Sequence, residues 1–271
     1  MEVNKKGIIL PTIYTKETWE RGGKRKEHKK YIGKYYVSWS QIESFNDKAG
    51  FNTGLLGVFE YLRKYFLKEK YPDMGWGDHG TSVEAYITVR SEDRKTLDEK
   101  TLEALEWADR HFTKEGKALL DTIEPLGVFQ YEICYYIKEL DVIVLGYIDD
   151  MSAPDAEGCI KMLRDYKTKS ESSKKDLHLP KKFQIEIYSS ALEQLKYKVQ
   201  NSEYCIIDRS GGRECMEGGG KEALNIGKKI WYEPYRALTK DRKKEMDELL
   251  INTVTRISEY FKCFNSYFNV N

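Results

Sequence analysis

Two acids and a lysine raise the chemical question. Asp149 lies in GYIDDM and Asp165 in MLRDYKTK, each beside an apolar, β-branched run, and Lys167 stands two residues beyond Asp165. If the two runs are neighbouring strands of a hairpin, both carboxylates reach one corner of a sheet, where their repulsion is costly unless a cation sits between them. Hard oxygen donors with open positions suit magnesium or manganese. Side chains alternate along a strand, so Asp165 and Lys167 share a face. The ammonium can then reach a water nucleophile or a scissile phosphate. Metal-assisted phosphodiester hydrolysis needs this combination, because cation and lysine offset the charge that gathers on phosphorus.

The elements that must position these groups can be read from periodicity. VFQYEICYYI (128–137), DVIVLGYI (141–148) and GCIKMLRDY (158–166) are strand-like runs split by short polar stretches of hairpin type. Asp149 then falls just after one strand and Asp165 at the end of the next. KKFQIEIYSSALEQLKY (181–197) carries apolar stripes at helical spacing, YCIIDR (204–209) and KKIWYE (228–233) are short strands around an EGGG loop (217–220), and 239–262 is an amphipathic helix. Upstream, SWSQIESF predicts a helix opened by a capping box of Ser40 and Glu43 and continued through Leu55, Leu56, Phe59, Leu62 and Phe66. A glycine-rich loop (71–80) precedes a helix that starts near Gly80 or Thr81 and carries Glu84, and 96–112 predicts one more helix. The order suggests one α/β domain over 1–271: a basic segment (1–37), a helical region (38–125), a sheet core (126–235) and a C-terminal helix (236–271).

Composition narrows the function classes. The chain has 271 residues and 40% hydrophobic content, enough for a substantial core. Its 33% of charged residues nearly cancel, to a net +1, so it is no polycation that coats nucleic acid indiscriminately. The charge is uneven, since the first forty residues hold ten Lys and Arg against four acids. ERGGKRKEHKK (20–30) reads as a solvated loop or mobile hairpin tip, with Lys24, Arg25 and Lys26 as candidate phosphate contacts. No window approaches the roughly 20 apolar residues of a membrane span, and no signal-peptide pattern follows Met1. A soluble, cytoplasmic protein with no membrane partner is the expectation. Five cysteines without a CxxC pair suggest reduced thiols.

Beyond the acids and lysine, G-x-x-D at 146–149, D-Y-K-T at 165–168 and Q-x-x-x-Y at 184–188 follow one another on predicted strand, strand and helix. With these motifs the chain resembles the RecB-like and lambda-exonuclease-like branch of the PD-(D/E)XK nuclease superfamily, over residues from about 38 to 210. SWSQIESF is similar to the S-x-S-x-x-x-x-F opening of many members, and Glu132 falls where an acid is common. The resemblance implies a restriction-endonuclease-like core: a central mixed β-sheet flanked by helices in αβββαβ order, with an N-terminal helical region and a C-terminal helix. It implies Glu84, Asp149, Asp165 and the backbone carbonyl of Tyr166 as ligands of Mg²⁺ or Mn²⁺, and Lys167 as the catalytic lysine. Gln184 and Tyr188 would steady the active site or contact DNA. GTSVE (80–84) departs from the pattern by placing Glu84 where many members have histidine, while His79, out of register, reads as a loop or supporting residue. No cysteine lies in 38–70, so the four-thiolate iron–sulfur cluster of some members is not expected. Trp76, ahead of Glu84, and Lys169 are further candidates for DNA contact.

The expected function is a metal-dependent deoxyribonuclease, foremost an exonuclease in recombination, repair or replication of phage or microbial DNA. DNA and other replication or recombination proteins are the expected partners. An endonuclease or DNA-end-processing nuclease, or a non-catalytic DNA-binding or assembly protein on the same fold, are the alternatives. The oligomeric state stays open.

Overall fold

A mixed, open six-stranded sheet with helices on both faces positions the candidate site residues. The computed structural model describes residues 2–45, 62–68, 76–169, 183–210, 225–235 and 239–268. Its elements in chain order are α1 (Lys16–Arg21), β1 (Tyr35–Ser38), α2 (Trp39–Phe45), α3 (Trp76–Val89), α4 (Glu99–His111) and α5 (Lys114–Leu120). There follow β2 (Gly127–Ile137), β3 (Val142–Ser152), β4 (Cys159–Lys169), α6 (Gln184–Gln194), β5 (Lys198–Ser210), β6 (Asn225–Tyr235) and α7 (Lys240–Phe268).

Strand β3 is the hub. It pairs antiparallel with β2 along its length; on the other edge it takes β1 in parallel over Val142–Leu145, and β4 antiparallel at Asp150 and Met151. Residues 146–149 on that edge therefore face the gap where β1 and β4 diverge. Beyond it, β4 pairs parallel with β5 through the α6 crossover, and β6 closes the series antiparallel to β5.

Each face of the sheet has its own cover. Tyr131, Ile133, Val142, Val144, Ile160, Tyr204 and Ile206 pack with residues of α2, α6 and α7, such as Ile42, Ile187, Leu192, Leu250 and Ile257. On the opposite face, Cys134, Ile143 and Leu145 meet Tyr14 and Tyr31 of the N-terminal segment. Tyr166, Cys205 and Ile207 meet Val83, Ile87, Ala108 and Phe112 of the helical region. Burial on both faces explains why β3 reads as a nearly continuous apolar run.

Several expectations need correction. Residues 20–30 are not a free loop: α1 extends to Arg21 and a 3-10 helix spans Lys26–Tyr31, because His28 and Tyr31 bury against the sheet. The capping box of α2 joins Ser38 and Gln41 rather than Ser40 and Glu43; Ser38 N donates to Gln41 Oε1 at 2.7 Å and Gln41 N to Ser38 Oγ at 3.2 Å. Helix α3 begins at Trp76, four residues before the expected start. Tyr35–Ser38, at the edge of the basic and helical segments, belongs to the sheet. Asp149 and Asp165 lie inside β3 and β4, not at their ends. The predicted helical stretch through Leu55 and Phe59, and the EGGG loop, fall outside the described residues.

Candidate active site

The gap beside β3 is where the chemistry-bearing residues gather. Ile148 and Met151 join the same core although three residues apart, so the two-residue alternation slips by one between them. Opposite the slip, Gln130 of β2 adopts φ 45°, an unusual backbone for a residue other than glycine. Asp149 lies at this slip, and its Oδ2 accepts from the Tyr166 backbone N–H at 2.8 Å, where a ladder bond between β3 and β4 would otherwise lie.

Asp165 is fully buried on the α6 side of β4. Its Oδ1 accepts from Gln184 Nε2 at 2.8 Å, and its Oδ2 pairs with the Lys167 ammonium. Gln184 Nε2 also donates to the Tyr188 hydroxyl at 2.8 Å. Residues four apart share a helix face, so α6 presents this pair together. The glycine of G-x-x-D has a steric reason: a Cβ at Gly146 would lie 2.8 Å from Tyr188 Cε1 and 3.3 Å from Ile133 Cδ1. Glu84 reaches the site from α3 and its Oε1 accepts from Gln130 Nε2. Glu84, Asp149 and Lys167 are half-buried, so the site opens to solvent beside a buried Asp165.

Burial first, and charge interactions after it, shift the titration of these groups. Burial raises the Glu84 carboxyl to about 7; the Gln130 hydrogen bond and Lys167 oppose the rise, and Asp165 adds to it. Burial also lifts Asp149 well above the usual carboxylate range, and Asp165 and Glu84 push it further. Burial pulls the Lys167 ammonium down, but Asp165 and Asp149 more than offset this and hold it above its ordinary value. Tyr188 is likewise raised, by burial and then by the two aspartates. Three carboxyl groups and one ammonium thus feel each other, and a cation that displaced the carboxyl protons would relieve the repulsion between the ionised acids. The all-oxygen donor set fits a hard divalent cation. Among the described residues these carboxylates do not bring one oxygen each within 4.8 Å of the other two; the trio that meets that spacing is His28, Glu132 and Cys134, a buried group that could hold a metal ion. Glu84, Asp149 and Asp165 would have to draw together around a shared cation.

The remaining predicted residues are dispersed. Glu132 points away from α6, where Tyr14 and Tyr147 hydroxyls donate to it at 2.6 and 3.2 Å. Lys24 and Lys26 are exposed, whereas the Arg25 guanidinium lies 3.5 Å over the Tyr131 ring. The Trp76 side chain falls outside the described residues, and Lys169 ends β4. His79 is a core residue of α3: its Nε2 lies 3.2 Å from the Asn225 carbonyl and its ring packs edge-on against Trp107 and Phe112. Tyr166 turns its hydroxyl to Asp150 Oδ2 at 2.8 Å, in a network where Arg164 reaches Glu203 at 2.7 Å. Gln130 carries no sequence signal, since a glutamine in an apolar strand matches no motif. Cys134, Cys159, Cys205 and Cys263 are free thiols. No helix among the described residues is long and apolar enough to cross a membrane. Compared with protein-family models and with curated proteins, the chain matches none of either.

Proposed function

We propose that the protein is a Mg²⁺- or Mn²⁺-dependent deoxyribonuclease with a restriction-endonuclease-like core, acting as an exonuclease in DNA recombination, repair or replication. The observation that carries this reading is the convergence on Asp165: Lys167 on one carboxylate oxygen, Gln184 on the other, Tyr188 behind Gln184, with Asp149 and Glu84 beside them. An order of helix, three strands, helix and strand around these residues supports it. Glu84, Asp149 and Asp165 would hold the cation. When bound, the ion would offset negative charge on the phosphate and lower the pKa of an attacking water.

The chain's own groups do the positioning. Lys167, with 26% of its side chain exposed, offers an ammonium to a scissile phosphate and stabilises the charge that develops there. Gln184 fixes the orientation of the Asp165 carboxylate, and Tyr188, buried against Gly146, fixes Gln184. Gln130 holds Glu84 toward the acids. Lys24 and Lys26 offer exposed positive charge to a DNA backbone.

The test incubates the protein with end-labelled linear DNA and with covalently closed circular DNA, in Mg²⁺, Mn²⁺ or EDTA, beside Lys167→Ala. Metal-dependent shortening of linear DNA alone, absent in EDTA and in the variant, is the expected result. Cutting of closed circles makes it an endonuclease. A folded protein that cleaves no DNA with either metal refutes the reading.

A further inference from the structure

We propose that His28, Glu132 and Cys134 form a second metal site, for zinc or a similar borderline transition metal, on the sheet face opposite α6. Glu132 and Cys134 are two residues apart on β2 and so project together. His28 comes to them from the 3-10 helix. One ligand atom from each lies within 4.8 Å of the other two, and none of the three residues is more than 1% exposed.

The surroundings argue for a cation. Tyr14, Tyr31, Ile143 and Leu145 pack with Cys134, and the Tyr31 ring lies 6.2 Å from the His28 ring. A carboxylate here is desolvated, and the phenols of Tyr14 and Tyr147 bring hydrogen bonds to it but no positive charge. His28 Nδ1 lies 3.2 Å from Glu132 Oε1, while His28 Nε2 is buried without a partner, so the imidazole's hydrogen bonding is incomplete. The first helix closes on the same carboxylate: a Cβ at Gly22 would fall 1.9 Å from Glu132 Oε2.

The donor types choose the metal. A thiolate, an imidazole and one carboxylate are the ligand set of zinc with a fourth position to fill, and a thiolate disfavours magnesium. The thiol proton must leave as the metal enters. Tyr147, donating to Oε2, would orient the ligand carboxylate as outer partners of metal sites do. The two sites therefore sort metals by hardness: oxygen donors at Asp149 and Asp165 for magnesium or manganese, mixed donors at Cys134 for zinc. A zinc ion would tie the N-terminal segment to the sheet that carries the candidate active site, and this inference does not depend on nuclease activity.

The test strips the full chain of metal by dialysis against a chelator and titrates it with Co²⁺ alone. A thiolate-to-cobalt charge-transfer band that saturates with one cobalt per Cys134 site and that Zn²⁺ displaces is the expected result. The band should persist in Asp165→Asn and vanish in Cys134→Ser, and Zn²⁺ should raise the melting temperature of the wild type. A wild-type chain that melts cooperatively yet gives no band at saturating Co²⁺ overturns the proposal. A band that survives in Cys134→Ser does so as well, since it would belong to another thiol.

Discussion

Gln184 donates from Nε2 to Asp165 Oδ1 at 2.8 Å, bridging a helix to the strand that carries the buried acid. Its second N–H serves the Tyr188 hydroxyl, so one amide sets the direction of both groups. Gln184→Ala should slow metal-dependent cleavage by about 10- to 100-fold, the effect of losing a partner that orients a ligand carboxylate. Cleavage rates against Mg²⁺ concentration check this; an unchanged rate removes Gln184 from the machinery.

Lys167→Met leaves the Asp165 carboxylate buried without its ammonium. Cleavage should fall to background. The metal-free protein should lose about 1–3 kcal/mol of stability, the penalty of an uncompensated buried acceptor. Denaturant titration with and without Mg²⁺ distinguishes the two effects, because a bound cation should shrink the stability loss and leave the catalytic loss in place.

Gly146→Ala drives a methyl group toward Tyr188, at 2.8 Å from Cε1. Overpacking of this kind costs about 1–3 kcal/mol. The displaced tyrosine should carry Gln184 with it, so activity should drop along with the melting temperature. Stability lost with full activity retained would mean that the Tyr188 position is immaterial to the chemistry.

His79 gives a pH dependence of stability. Burial, helped by Arg209 and opposed by the hydrogen bond to the Asn225 carbonyl, lowers its pKa from 6.5 to about 4. The unfolded chain therefore takes up a proton first. Stability from neutral His79 is complete above 6.5 and is lost as pH falls toward 4, by up to about 3 kcal/mol. Calorimetry across this window should show the loss, and His79→Phe should flatten it.

Glu84 works in the opposite sense. Its carboxyl is raised from 4.5 to about 7, so the folded, metal-free protein holds a proton that the unfolded chain has released, and stability falls as pH rises through that interval. A cation must displace the proton. Added Mg²⁺ should therefore raise the melting temperature more at about pH 8 than at about pH 6, and chelator should abolish the difference. Equal shifts at both values would show that Glu84 takes no part in binding.

Much of the sheet could be read from the chain. The runs at 128–137, 141–148 and 158–166 are found as β2, β3 and β4 and the helix expected over 181–197 as α6 (Gln184–Gln194), because apolar, β-branched and aromatic runs mark strands and apolar stripes at helical spacing mark a helix. The ends of β3 and β4 could not, since Asp149, Asp150, Asp165 and Lys167 put polar side chains inside strands. Polar side chains of this kind interrupt the very pattern that reveals a strand. Tyr35–Ser38 was equally hidden: its four residues are a strand only because they lie beside Val142–Leu145, more than a hundred positions away.

By itself the sequence determined local periodicity and the short-range pairings, among them Asp165 with Lys167 on one strand face and Gln184 with Tyr188 on one helix face. Tertiary structure alone decided that Gln130 would hold Glu84 and that His28 would meet Glu132 and Cys134 across the sheet. The physical reason is that helix and strand periods are set by neighbouring peptide units, whereas these meetings depend on where a folded sheet brings distant segments together.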